Sequence, residues 1–272
     1  MRLKKRSGIG LAVCLAIVPA SSAGAEAAGG KYEGSPYFID GDSGGLSESA
    51  IDFNDLDAAI DEIRNDSRLS LSEKSRRIDK INLLRPENMP GGSGYAATQS
   101  LPNAASLCMV PVFTQETAYY CGPATVKQTL TYINGSAPSQ SVIEGEIGTT
   151  SAGSVLQYML DYINEEQDEN IYVIVHQPSE QAIQTMVYNA VLHSAPAICR
   201  VAFSASFPDG SWKYSTNGHY MNANGYSGYG AEILVTDPNI INVDPNETGY
   251  CWVTLTELHA ATQNHFAKEM AY

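Results

Sequence analysis

Basic residues are scarce in this chain: 16 Lys and Arg stand against 30 Asp and Glu in 272 residues, for a formal net charge of -14. A surface of that sign repels nucleic-acid phosphate and anionic lipid, so nucleic acid is excluded as a partner class. Cysteine is sparse as well, five in all, and none shows the close spacing of a zinc site or of a disulfide-dense scaffold. Neither a metal nor another cofactor is therefore expected. Long apolar runs are missing too. The one apolar stretch, residues 9–20, falls short of the roughly 20 residues that a spanning helix needs, which excludes an integral membrane span. What is present is the 43% hydrophobic content of an ordinary globular chain, enough for one substantial core plus an accessory segment.

Arg2, Lys4, Lys5 and Arg6 precede that apolar stretch, and small residues including Ala23-Gly24-Ala25 follow it. This is the layout of an export signal, with cleavage expected near Ala25 and a secreted, extracellular or cell-surface product. Cleavage removes four basic residues and no acidic one, taking the net charge from -14 to -18. Val13 stands where a lipidation site at Cys14 wants a smaller residue, so no lipid anchor is expected. Residues 26–106 are acidic and polar. Within them Ile51, Leu56, Ile60 and Ile63 predict a helix over residues 49–63, and Ile78, Ile81 and Leu84 predict one over residues 72–84. Residues 86–102, with Pro90-Gly91-Gly92-Ser93-Gly94, read as a linker. The expectation for residues 26–106 is a pro-segment or linker ahead of an enzyme domain at 107–272.

From Leu107 onward helical and β-rich patterns alternate. Residues 121–133 predict a helix with Val126, Leu130 and Ile133 on one face, closed by Asn134-Gly135. Further helices are expected at 154–163 and 179–192, and strands at 171–176 and 197–203. Residues 219–226 and 232–236 predict a hairpin turning through Ser227-Gly228-Tyr229-Gly230. A last strand near 250–255 leads into a helix from Thr256. Helices first and an antiparallel sheet afterwards give the α+β class.

The chemistry concentrates in Phe113-Thr114-Gln115-Glu116-Thr117-Ala118-Tyr119-Tyr120-Cys121-Gly122-Pro123-Ala124. Pro123 belongs in the first turn of a helix, which puts Cys121 at the helix N-terminus. There the unpaired N–H groups and the helix dipole favour a thiolate, the nucleophilic form of cysteine. Gln115, six residues upstream, can return its amide toward the thiol and donate to a developing oxyanion. The thiol needs a base. His176 ends a strand, His193 follows a helix, and His259 and His265 belong to the C-terminal helix, whereas His219 follows Gly218 and opens the hairpin. With a turn at 227–230, antiparallel pairing sets His219 opposite Pro238, and a one-residue change sets it opposite Asp237. Either register lets the Asp237 carboxylate orient the imidazole, with Asn239 as a substitute.

Val110-Pro111-Val112, Gln115, Cys121-Gly122-Pro123-Ala124, Gly218-His219-Tyr220, Asn224-Gly225-Tyr226 and Thr236-Asp237-Pro238 resemble the bacteriocin-processing-peptidase-like domains, cysteine peptidase family thirty-nine. The resemblance covers residues 107–266. It implies a papain-like α+β fold, with a helical half carrying the nucleophile packed on an antiparallel sheet that carries His and Asp. It also implies peptide-bond hydrolysis, with Gln115, Cys121, His219 and Asp237 on the oxyanion, nucleophile, base and orienting positions. Gln115, Ala118-Tyr119, Cys121-Gly122 and Trp252-Val253-Thr254-Leu255-Thr256 are also similar to phytochelatin synthase, a papain-like transpeptidase acting on glutathione. Export from the glutathione-rich cytosol argues for the peptidase. A silent binding module on the same fold is the rival from another class. The expected partner is a peptide or protein substrate, and the expected state a monomer.

Three further strings carry less. Gly41-Asp42-Ser43-Gly44-Gly45 reproduces the serine string of trypsin-like proteases, but no histidine precedes His176. The same stretch lacks a Glu at the twelfth position of a calcium loop, where Ile51 stands. Met89-Pro90-Gly91-Gly92 resembles a double-glycine cleavage site, for which a flexible linker is the simpler account.

Overall fold

The computed structural model describes residues 51–52, 55–85, 106–205 and 211–272. The export signal, the Gly41–Gly45 string and Met89-Pro90-Gly91-Gly92 lie outside them.

One sheet organises the chain. Its strands are β1 (Ile51–Asp52), β2 (Ser106–Leu107), β3 (Ile174–His176), β4 (Ala197–Phe203), β5 (Thr216–Ser227), β6 (Glu232–Thr236), β7 (Tyr250–Thr254) and β8 (Glu269–Ala271). They run in the order β1-β3-β8-β4-β5-β6-β7, with β2 beside β5. All pairings are antiparallel except β1 with β3. Alternation along β4 sorts the two faces, as a period of two requires. Ala197, Cys199, Val201 and Phe203 join one apolar cluster, and Ile198 the other.

On the second face lie α3 (Cys121–Asn134), α4 (Gln140–Ile147) and α5 (Leu156–Glu166), burying Val126, Leu130, Ile143, Met159 and Leu160. The first face is covered by α1 (Leu56–Asn65), α2 (Leu71–Leu83), α6 (Glu180–Leu192) and α8 (Leu255–Asn264), while α7 (Ile240–Val243) is a single turn after β6. Local signals set the boundaries. Ser70 and Glu73 form a capping box on α2, Thr254 and Glu257 one on α8, and Gly135 closes α3 at φ 77°. Ser179 caps α6 by accepting from the Ala182 N–H.

Two expectations are corrected. The helix predicted over 49–63 begins only at Leu56, and Ile51 pairs with Val175 in the sheet. The hairpin register also differs. Asn222 faces Thr236 and Ala223 faces Val235, then a bulge intervenes and Gly225 faces Leu234. A bulge adds one residue to one strand and shifts everything beyond it. The turn closes with Ser227 opposite Glu232, two steps from the expected register, and the bulge returns only one, so neither Asp237 nor Pro238 stands opposite His219, which pairs with Val201 on its β4 side.

Asn222 fixes the position of α3 on β5. Its Nδ2 donates to Gln128 Oε1 at 3.0 Å and to the Thr125 carbonyl at 3.3 Å, while its Oδ1 accepts from Thr129 Oγ1 at 2.8 Å. The helix that begins with Cys121 is thus bonded to the strand that contains His219. The α1–α2 hairpin packs into the first-face core through Leu56, Ile60, Ile81 and Leu84. Lys80 seats its ammonium over the rings of Tyr272 and Tyr172, 4.5 and 5.5 Å from their centroids. Among the described residues, no helix is long and apolar enough to cross a membrane.

Candidate active site

Cys121 is the first residue of α3 and is buried. Tyr120, the residue before it, makes no side-chain cap, so the N–H groups of the first turn are left to a ligand or an anion. Gly122 is needed for a close approach: a Cβ there would lie 2.1 Å from Ser154 Oγ. Ser154 is itself held, with Thr149 Oγ1 2.7 Å from its hydroxyl and Tyr220 donating to its carbonyl at 3.0 Å.

His219 is fully buried, with Nε2 2.8 Å from Asp237 Oδ1. That leaves Nδ1, which has no hydrogen-bond partner, as the nitrogen available to the thiol; Cys121 also acts on the ring. Burial depresses the imidazole, but the Asp237 carboxylate and then Cys121 more than offset it, and its pKa is pushed up to about 10.

Asp237 lies just past the end of β6, and its N–H donates to the Gly249 carbonyl at 2.9 Å. Its carboxylate has three donors: His219 Nε2 and the Asn239 N–H, at 2.7 Å, both on Oδ1, and the Tyr214 hydroxyl on Oδ2 at 2.9 Å. Asn239 supports the carboxylate through its backbone. Its side-chain Oδ1 accepts from Asn242 at 3.4 Å, and its Nδ2 is buried without a partner.

Gln115 is tied to the same neighbourhood by its backbone: its N–H donates to the Pro238 carbonyl at 2.8 Å, and its carbonyl accepts from Asn242. Its side chain is not aimed as the sequence suggested. Nε2 donates to the Thr117 and Ala118 carbonyls at 3.0 and 3.2 Å, and Oε1 is buried without a partner. Both amide hydrogens are thus held by the loop leading to the thiol.

The other histidines stand apart. His176 meets Gln177, His193 ends α6, and His259 lies 3.9 Å from Glu180. His265 caps α8 rather than belonging to it; burial and then Arg200 lower its pKa to about 3. Sequence reasoning missed Tyr214. Its only signal was the aromatic pair Trp212 and Tyr214 just ahead of the strand that holds His219.

Residues 108–270, more than half of the chain, match the model of the Peptidase_C39 like family. No curated protein matches the sequence. Among solved structures, the chain is similar to a double glycine motif protease from an AMS/PCAT transporter, crystallised in complex with the leader peptide. That similarity has 15% identity and a TM-score of 0.39, and covers 61% of this chain and 91% of that one.

Proposed function

The chain belongs to the Peptidase_C39-like family of peptidases, and from that membership and the geometry around Cys121 we propose that it is an exported cysteine peptidase cleaving peptide or protein substrates by acyl transfer. The observation that carries this reading is the buried His219–Asp237 pair at 2.8 Å, with the helix-terminal Cys121 acting on the same imidazole.

In this mechanism a buried imidazolium and the N-terminus of α3 hold the sulfur as thiolate. The thiolate attacks the carbonyl carbon of the scissile bond, and the carbonyl oxygen becomes an oxyanion. The Cys121 N–H, at the first position of the helix, donates to it. Gln115 supplies the second donor by exchanging the longer of its two bonds, to Ala118, for the oxyanion. His219 gives its proton to the leaving amine as the C–N bond breaks. It then takes a proton from water, which attacks the thioester and releases the acid and the thiolate. Asp237 keeps the ring oriented throughout and balances its charge. The basic-apolar-small pattern of residues 2–25 supports export.

Digestion of a peptide library under reducing conditions by the secreted protein tests the reading. Cys121→Ala should abolish cleavage, and Gln115→Ala should lower kcat by about 10²–10³. A thiol-reactive peptide electrophile should label Cys121 far faster than Cys108, Cys199 or Cys251. Equal labelling of the four would leave a silent binding module as the better account.

A further inference from the structure

We propose that Tyr214 is a positioning residue of this site: its hydroxyl holds the Asp237 carboxylate in the one orientation that meets His219. The inference deepens the peptidase reading and rests on it for the rate measurements alone.

A carboxylate attached through a single bond can turn, and turning exchanges or withdraws its oxygens. Oδ1 of Asp237 serves His219 Nε2 and the Asn239 N–H; Oδ2 has the Tyr214 hydroxyl, at 2.9 Å, as its donor. Three donors on fixed supports permit one rotamer. With the phenol oxygen removed, Oδ2 is a buried acceptor with no donor, and rotating to recover one costs the bond to the imidazole.

Tyr214 is itself held in place. Its ring meets the His219 ring edge-on, with centroids 5.9 Å apart at 85°, and packs at 5.0 Å on Phe203, which stacks on Trp212 at 4.2 Å. The strip from Ser211 to Ser215 is anchored at both ends. Ser211 donates through its N–H and its hydroxyl to the Glu257 carboxylate, at 3.2 and 2.8 Å, and Ser215 Oγ accepts from the Ala205 N–H at 2.8 Å. Burial and then the Asp237 carboxylate keep the phenol protonated well above its ordinary range, so it stays a donor while the imidazole titrates. Titratable groups around the pair include Cys121 from α3 and Cys251 from β7, and Cys251 is in turn acted on by Asp237, Lys213, Glu247 and Glu257.

The test compares the full secreted protein with Tyr214→Phe and Phe203→Leu. Three quantities are read: the rate of Cys121 alkylation by iodoacetamide against pH, kcat and KM on a cleaved peptide, and the downfield proton resonance of the His219 Nε2–H. In Tyr214→Phe, kcat should fall about tenfold or more with KM within about twofold. The alkaline limb of alkylation should move down by about one pH unit, and the downfield resonance should be lost. Phe203→Leu loosens the packing on the Tyr214 ring but keeps the phenol oxygen that bonds the carboxylate, so it should lower the melting temperature while moving the alkaline limb by less than half as much as Tyr214→Phe does. In an Asp237→Asn background, adding Tyr214→Phe should change the alkylation rate by less than about twofold, because the phenol acts through the carboxylate. A Tyr214→Phe protein that keeps both the limb and the resonance overturns the proposal. If Cys121 of the unaltered protein reacts no faster than the other thiols, the peptidase reading fails. The resonance then decides alone: its loss in Tyr214→Phe supports the positioning role, and its retention overturns it.

Discussion

A histidine with no solvent exposure can carry a charge only while a counter-charge is bonded to it, and His219 has that in Asp237. Its pKa of about 10 in the folded protein lies above the ordinary 6.5. The folded state therefore holds the proton more tightly than the unfolded one. The stabilisation is complete below pH 6.5 and is lost as the pH rises through about 10. Urea melts between those limits should give a falling stability for the wild type and a nearly flat one for Asp237→Asn. At the acid end Asp237→Asn should be less stable by about 3–5 kcal/mol, the usual result of breaking a buried pair. These residues were legible in sequence because chemistry restricts the choice: a thiol ahead of a proline-started helix, and one histidine beside a strand pair ending in Asp. The rotamer of Gln115 was not legible, since it depends on which loop carbonyls a turn of two or three residues presents. Nor was Tyr214, whose importance lies in a contact 23 residues away in sequence.

At the scale of elements, the relation between α3 and β5 sets the distance between thiol and imidazole. Asn222→Ala would leave Gln128 Oε1 without its donor and would remove the bonds that tie Thr129 and the Thr125 carbonyl to β5, leaving those two bonded only within the helix. We expect a loss of about 2–3 kcal/mol in chemical denaturation, accompanied by slower labelling of Cys121. Gly122→Ala places a methyl group against Ser154 Oγ, and a shift of the α3 start should cost about 1–3 kcal/mol. Adding Ser154→Gly should recover part of both stability and labelling rate, which a melt and an alkylation assay would read together. Long elements with a clean period, α3, α6 and β4, could be read directly. The short ones could not: α4 buries two apolar side chains, Ile143 and Ile147, beside the polar Gln140, with Val142 half exposed, and β8 is three residues long. The hairpin register failed for another reason. The turn closes with Ser227 opposite Glu232 rather than where the Ser227–Gly230 string places it, and the bulge beyond it is held by Asn224, which donates to the Cys108 carbonyl at 2.7 Å and accepts from Thr236 at 2.9 Å; no pattern within β5 and β6 announces either.

For the whole molecule, the α1–α2 hairpin sits in the core of the sheet's first face, where Ile81 and Leu84 are fully buried. Among the described residues of this hairpin, Arg76 donates to the Asp168 carbonyl, the Lys80 carbonyl accepts from the Tyr272 hydroxyl, and the Lys80 ammonium lies over the Tyr172 ring. We therefore expect residues 51–85 to act as a structural part of the enzyme rather than as a removable inhibitor. Leu84→Ala should cost about 2–5 kcal/mol in a thermal or urea melt, and proteolytic release of the hairpin should lower activity. A rise in activity on release would restore the pro-segment reading.

The four sulfurs from Cys108 onward have unequal surroundings. Cys199 is sealed inside β4, where burial pushes its thiol far up; burial and then Asp237 push Cys251 up to about 12; and Cys108 is occupied with the Ala190 carbonyl. A small alkylating reagent should then consume one equivalent quickly while the chain is native, and four once it is denatured. The ratio of the two uptakes would count intact molecules in a preparation before any substrate is known.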